Sequence, residues 1–337
     1  MGNKIDQMSF RLIFILVIIS LVTIVSCDQK PAQTTSTKPA PPKVSVPQFN
    51  SDSAYAYIKA QLDFGPRVPN TEEHDACARY LGNEMRRLGA EVLIQRAKVK
   101  AYDDSYLRIA NIIASFQPEK KNRILLFAHW DSRHVADYCS DPTRRDDPIP
   151  GANDGASGVG VLMEIGRQIG LKQPGIGVDI IFFDAEDYGT PDHLDLPKKD
   201  DTWCLGSQYW SGNMHKMGYY PRYGILLDMV GAKGALFYKE QYSMHYAPSV
   251  VNKVWNIASE LGFSSTFIDQ QGGIITDDHI YVNQIAGIPS IDIIQHDPDT
   301  DTRFGHYWHT HDDNLEVIDK TTLKIVGQTV LTVIYRE

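Results

Sequence analysis

The chain has 337 residues, with 33 Lys and Arg against 42 Asp and Glu, a formal net charge of -9. At 42% hydrophobic and 22% charged residues it can bury a large core, which excludes a disordered chain, collagen or a coiled coil. An acidic balance argues against gripping a nucleic-acid backbone, which takes a basic surface to displace counterions, so no nucleic-acid partner is expected.

Lys4 and Arg11 make a basic start to an apolar run from Leu12 to Val25, interrupted by Ser20 and Thr23. The run is shorter than the roughly 20 residues that span a bilayer and suits the core of a signal peptide, residues 1–26. It ends in Ile24-Val25-Ser26-Cys27, which resembles a bacterial lipobox with Cys27 as the acylated residue. From Asp28 to about Pro47 the chain is rich in Pro, Thr, Ser and Lys and poor in large apolar residues. Residues 27–47 therefore read as a lipid-anchored cysteine and flexible tether, and 48–337 as one folded domain. The expected address is the bacterial cell envelope, as a periplasmic lipoprotein whose membrane contact is the anchor alone. With Cys27 acylated, Cys77, Cys139 and Cys204 remain. Cys77 shares a helical stripe with Tyr80, Leu81, Met85 and Leu88 and reads as core. Cys139 and Cys204 fall in polar loops and are the candidates for one disulfide.

Helices are expected over Ser51 to Phe64 and Asn70 to Leu88, the second with an Asn70-x-x-Glu73 capping box and Gly89 past its end. Two β-rich stretches follow, Val92 to Val99 and Leu107 to Phe116. Short apolar runs come next, at Ile124–Ala128, Val178–Phe183, Tyr223–Leu227 and Ser290–Ile294. Helical patterns at Gly158 to Leu171, Pro248 to Leu261 and Lys320 to Tyr335 alternate with them. Runs that read as buried on both faces, alternating with helices, point to a three-layer α/β/α sandwich with a mixed, mostly parallel central sheet.

In such sheets function gathers in the loops at the carboxyl ends of the strands, and here those loops carry acids and histidines. The first apolar run leads into His129-Trp130-Asp131-Ser132, and Gly151-Ala-Asn-Asp154-Gly155-Ala-Ser-Gly158 precedes the next helix. The second run ends in Asp184-Ala185-Glu186-Asp187 and the third in Asp228. Asp277-Asp278-His279 and Trp308-His309-Thr310 lie nearer the C-terminus. One carboxylate at a strand end commonly caps a helix, but imidazoles and carboxylates from several strand ends can converge on one Zn²⁺. Glu186 and Asp187, as neighbours on an extended segment, point to opposite sides, so one can bind metal while the other acts as acid and base. No Gly-x-Ser-x-Gly elbow supports a serine nucleophile. Asp297-Pro-Asp299-Thr-Asp301 lacks the Gly and Glu of a calcium loop and reads as solvated. His193, His215, His245, His296 and His306 lack a paired motif and read as surface residues or as supports behind the site.

The order His-x-Asp, Asn-Asp-Gly-Ala-Ser-Gly, paired acids after Phe-Phe-Asp, Leu-Leu-Asp, Asp-His and His-Thr-x-Asp resembles the zinc aminopeptidase and glutaminyl cyclase superfamily. The likeness runs from Phe64-Gly-Pro-Arg-Val-Pro69 to the C-terminal helix. The aminopeptidases hold two zincs, and His129, Asp154, Asp187, Asp228 and His309 match all five side-chain positions. Three details are closer to the cyclases: Asp277-Asp278-His279-Ile280, the indole of Trp308 before His309, and Leu226-Leu-Asp228-Met-Val-Gly-Ala232. Asp187 stands where animal cyclases have Glu, and Trp203 takes the place of a cyclase tryptophan expected soon after the paired acids.

The resemblance implies a glutaminyl-peptide cyclotransferase, an acyltransferase that turns N-terminal glutamine of peptides and proteins into pyroglutamate and releases ammonia. It implies one zinc per chain on Asp154, Asp187 and His309, with His129 and Asp131 behind the metal or on a second one. Glu186, Asp228 and Asp277 become the catalytic carboxylates, and Trp308 and Trp203 the walls of the substrate pocket. A two-zinc aminopeptidase is the alternative, and a binding domain without catalysis a third reading that loss of ligands would signal.

Overall fold

Asn50 opens helix α1, Ser51–Leu62, by accepting the N–H groups of Asp52 and Ser53 on its side chain. Helix α2, Glu72–Arg87, is capped by Thr71, whose Oγ1 accepts from His74 N at 3.2 Å, one residue later than the spacing of Asn70 and Glu73 indicates. Asn70 instead takes a left-handed conformation and ties the helix to a strand, donating to Tyr106 O and accepting from Arg108 N. Gly89, at φ 98, ends the helix as expected. The computed structural model describes residues 45–197, 199–298 and 300–337. The signal segment, Cys27 and the tether as far as residue 44 lie outside the described residues. Ser45 and Pro47, the end of the expected tether, lie on the domain: Lys172 Nζ donates to Ser45 O and Gln328 Nε2 to Pro47 O.

Strands β1, Glu91–Lys100, and β2, Tyr106–Phe116, form an antiparallel hairpin. Strand β3, Arg123–His129, is followed by helix α3, Ala156–Leu171, and β4, Gly177–Phe183. Helix α4, Leu205–Gly212, leads to β5, Gly224–Asp228. Next come β6 (Phe237–Lys239), α5 (Gln241–Tyr246), α6 (Pro248–Glu260) and β7 (Phe267–Gln271). The chain closes with α7 (Asp278–Gln284), β8 (Ser290–Ile294) and α8 (Lys320–Arg336). The central sheet has the order β1-β2-β4-β3-β5-β8, with β4, β3, β5 and β8 parallel and β2 antiparallel to β4. It is the mixed, mostly parallel sheet that the sequence implies. Strands β6 and β7 form a separate parallel pair.

Alternation along the strands splits the core into two layers. Ile112, Leu126, Ile180 and Leu227 pack under α1, α3, α6 and α8, while Ile113, Phe127, Ile181 and Leu226 meet Trp210 of α4 and Val282 of α7. Helix α3 lies close under β5. A Cβ on Gly158 would stand 2.1 Å from Leu227 O, and one on Gly155 2.5 Å from Asp131 O. Those two glycines bring the residue before them, Asp154, to the carboxyl end of the sheet.

Candidate active site

Strand β3 is central, and the chain passes from it to β4 on one side and then to β5 on the other. The crevice at such a reversal opens over the end of the middle strand, where α/β sheets bind ligands. His129 ends β3, Glu186 and Asp187 follow β4, Asp228 ends β5, and the loop after β8 returns His309 to the same place.

The nearest carboxylate and imidazole atoms of Asp154, Asp187 and His309 all lie within 4.8 Å of one another. His309 Nε2 is 3.3 Å from Asp187 Oδ1 and 3.6 Å from Asp154 Oδ2. Ligands of a tetrahedral zinc at 2.0–2.2 Å stand roughly 3.3–3.6 Å apart, so these separations fit the ion with little movement. Both oxygens of Asp187 are buried without a hydrogen-bond donor, which a cation would satisfy. Burial first, and then the charge of Asp154, push the Asp187 carboxyl up to about 6. The expected zinc triad is therefore assembled, and its chemistry suits zinc.

His129 completes a second group with Asp154 and Asp228, at 3.0 Å and 3.2 Å from its Nε2. Burial disfavours its protonation, but Asp131, Asp154 and Asp228 outweigh burial and raise its pKa well above the usual imidazole range. Asp131 supports the site without facing the cavity. Its two oxygens accept the backbone N–H groups of Glu186 and Asp187, which fixes the turn carrying both acids.

The two neighbouring acids do diverge. Asp187 joins the zinc group, whereas Glu186 clusters with Cys204 and Asp277. Burial is the main reason that the Glu186 carboxyl lies well above its ordinary range, with Asp277, Asp187 and Asp278 adding to it against the pull of His129. Asp277 is raised likewise by burial and by the charges of Asp228 and Asp278. Carboxyl groups held up this way suit proton transfer near neutrality. Ala185, Cys204, Met229 and His309 all adopt left-handed backbone conformations around the site, a strain that the packing must hold in place.

Cys204 does not pair with Cys139. All three described cysteines are free and buried, and the Cys204 thiol donates to Glu186 Oε1 at 3.1 Å. The segment before α4 folds back on the acidic turn, with Cys204 N on Glu186 O and Leu205 N on Ala185 O, so the thiol serves the site instead of a crosslink.

A cavity of about 190 Å³ stands over these acids, with Trp203, Met229, Ile294, Phe304 and Trp308 among its walls. The Trp308 ring stacks on His309 at 3.7 Å, and Trp203 lies parallel to the same imidazole at 6.0 Å. Both expected tryptophans are thus walls of one small pocket.

The supports behind the metal ligands carry no recognisable pattern in the sequence. Asp313 accepts the N–H groups of Asn153 and Asp154, 160 and 159 residues away, and so positions a candidate zinc ligand. Asp137 Oδ2 lies 3.4 Å from His309 Nδ1 and is held below the usual carboxylate range, because His309, Arg133 and His193 outweigh its burial. A carboxylate behind a metal-bound imidazole fixes the ring and its tautomer. His193 reaches the other oxygen of Asp137 at 3.0 Å, so of the unassigned histidines this one does stand behind the site.

Residues 111–334 match the profile of peptidase family M28. A Zn-dependent exopeptidase from Parabacteroides distasonis is 56% identical, with a TM-score of 0.86 over 87% of this chain and 100% of that one. A Bacteroides thetaiotaomicron glutaminyl cyclase bound to N-acetylhistamine is 55% identical, with a TM-score of 0.85 over 87% of this chain and 100% of that one. The glutaminyl-peptide cyclotransferase of Bos taurus is 25% identical over 293 residues, 76% of this chain and 74% of that protein. With the family profile matching residues 111–334, most of the chain, the protein belongs to peptidase family M28.

Proposed function

We propose that this zinc enzyme is a glutaminyl-peptide cyclotransferase, which closes the N-terminal glutamine of a peptide to pyroglutamate and releases ammonia. The observation that carries the reading is the small cavity walled by Trp203 and Trp308 over one zinc triad, in a chain 55% identical to a bacterial glutaminyl cyclase. Asp154, Asp187 and His309 would hold a single zinc, which when bound supplies a Lewis acid to the side-chain amide carbonyl. Glu186 takes a proton from the attacking α-amine and returns one to the departing ammonia. Asp228 and Asp277, at the cavity wall, orient the amine and the leaving group, so the five-membered ring closes from a near-attack geometry. The two indoles exclude water, which disfavours simple hydrolysis of the amide.

The His129, Asp154 and Asp228 group shares Asp154 with the triad and supports the other reading, a two-zinc aminopeptidase. Assay of the purified protein on a glutaminyl and a leucyl amide, with elemental analysis of the same sample, separates the two. The cyclase releases ammonia and pyroglutamate from the first with about one zinc per chain. Cleavage of the leucyl amide by a form that needs two zincs would overturn it.

The lipobox-like run and the Pro- and Thr-rich stretch after it support a cell-envelope lipoprotein anchored through Cys27. Cys27→Ser should release an active enzyme from membranes. Continued membrane association with an intact amino terminus would instead mean an uncleaved anchor.

A further inference from the structure

Arg133 has no role in the chemistry above, yet it is fully buried and placed between the metal ligands and the cavity wall. Its guanidinium donates to Asp137 Oδ2 from Nε at 2.7 Å, and its Nη2 pairs with the same oxygen at 2.6 Å. The outer nitrogens also reach the carbonyls of Asp187, Gly189 and Thr190 at 3.0, 3.1 and 3.3 Å. Its carbon lies 4.3 Å from the centroid of the Trp203 ring. That ring also rests on Gly189, where a Cβ would come within 2.0 Å of the indole.

Trp203 stands at the end of a polar loop, and its ring is only half-buried. Its ring lies parallel to His309 with Arg133 and Gly189 against it. A cation–π contact on a half-buried ring favours the stacked arrangement by a factor of roughly 5–30. The same guanidinium neutralises Asp137, the carboxylate behind His309 Nδ1. One side chain therefore ties the turn of Asp187, the support of His309 and the wall of the pocket together.

We propose that Arg133 is a positioning residue that determines specificity by holding the Trp203 indole as a fixed wall of the substrate cavity. A planar fork is needed for this, because a lysine ammonium is a point charge that cannot pair with Asp137, meet three carbonyls and face the ring at once. Arg133 also touches Asp137 and Asp187, its Nη1 lying 3.7 Å from Asp187 Oδ1, so the wall is released by itself only where Trp203 is displaced and Arg133 is kept. The wall's effect thus falls on substrate binding and depends on Trp203, whereas a merely structural role of Arg133 would act equally with and without that indole.

The proposal rests on the cyclase reading only for its kinetic measurement. In Arg133→Lys, KM for a glutaminyl amide should rise about tenfold and tryptophan quenching by acrylamide should increase, and any loss of zinc or turnover should persist without Trp203 while the rise in KM does not. On a Trp203→Leu background the same substitution should change KM less than twofold. Gly189→Ala is the second variant, since its methyl displaces the indole while Arg133 stays in place, and it should raise KM and quenching in the same direction with kcat changed less than threefold and zinc content unchanged. Unchanged KM in both Arg133→Lys and Gly189→Ala, or an equal tenfold rise with and without Trp203, would overturn the proposal. If the protein does not act on glutaminyl amides, quenching and N-acetylhistamine affinity still test it. Both variants should then quench more and bind N-acetylhistamine more weakly, and unchanged values would overturn it.

Discussion

Asp179 lies near the amino end of β4 and Asp187 in the turn beyond its carboxyl end, both buried, and their surroundings differ. At the amino end of β4, Asp179 takes Arg123 Nε at 2.5 Å, Arg123 Nη2 at 2.6 Å and the Tyr219 hydroxyl at 2.7 Å. Beyond the carboxyl end neither oxygen of Asp187 accepts a hydrogen bond, its charged neighbours being His309 Nε2 at 3.3 Å and Arg133 Nη1 at 3.7 Å, and both oxygens of Asp278 and one of Asp277 are unbonded too. A buried charge with its own cation is part of the scaffold. Buried acids gathered with fewer donors than their oxygens can accept suit a metal cation or a proton in transit. The fold thus satisfies its buried acid fully at one end of β4 and incompletely past the other. That open end is where the strand ends of a parallel sheet offer loops free to carry chemistry.

The largest effects should come from the open end, where the two neighbouring acids have different tasks. Glu186→Gln keeps size and polarity but removes the proton acceptor, so turnover should fall by roughly 10²–10⁴-fold while zinc content stays near normal. Asp187→Ala should lower both turnover and zinc affinity, because one of three protein ligands is gone. Zinc content and rate measured on both variants would expose a reversal, with Glu186→Gln emptying the site and Asp187→Ala keeping its metal.

Much of this contrast can be read from the chain itself. The acids at the ends of β3, β4 and β5 follow short apolar runs, and a run that closes in Asp-Ala-Glu-Asp or Leu-Leu-Asp announces its strand end locally. The supports are not legible in the same way. Asp313 acts on Asn153 from 160 residues away, and Arg133 meets Trp203 only after the loop beyond β4 has folded back. No short-range periodicity records such pairings. Helices α4, α5 and α7 also escape pattern reading, because at 8, 6 and 7 residues they complete about two turns and show little amphipathic repeat. The disulfide expectation failed for a related reason. Cys204 lies in a segment that looks polar and exposed along the chain, yet tertiary contacts bury its thiol against Glu186.

The paired end should respond in stability and not in chemistry. Arg123→Leu leaves Asp179 and the Tyr219 hydroxyl buried around an uncompensated charge, and breaking such a pair costs about 3–5 kcal/mol. Urea denaturation should show that loss, with zinc content and turnover of the folded fraction unchanged. Replacing Asp179 as well should recover most of it, since the stranded charge is then removed too. A cost below about 1 kcal/mol for Arg123→Leu would mean that water or a shift of Tyr219 compensates Asp179, and the contrast between the two edges would weaken.

A smaller effect at the same edge concerns His215, whose Nδ1 accepts a hydrogen bond from Trp210 Nε1 at 3.2 Å. Only the neutral ring can accept there. Burial, and then repulsion from Arg123 and Lys216, lower its pKa from 6.5 against the attraction of Asp179. The sign follows from linkage: the unfolded chain binds this proton more readily than the folded one. The contribution of His215 is therefore complete above about pH 6.5 and is lost as pH falls through the depressed folded value. For a half-buried ring the slope should be well under the limit of about 1.4 kcal/mol per pH unit for one group. His215→Gln keeps an acceptor for the indole but cannot titrate. Urea midpoints of wild type and variant should converge or cross between pH 8 and pH 5, with acid losses common to both proteins cancelling in the difference. Parallel curves would mean that the Trp210 contact yields before the imidazole resists its proton.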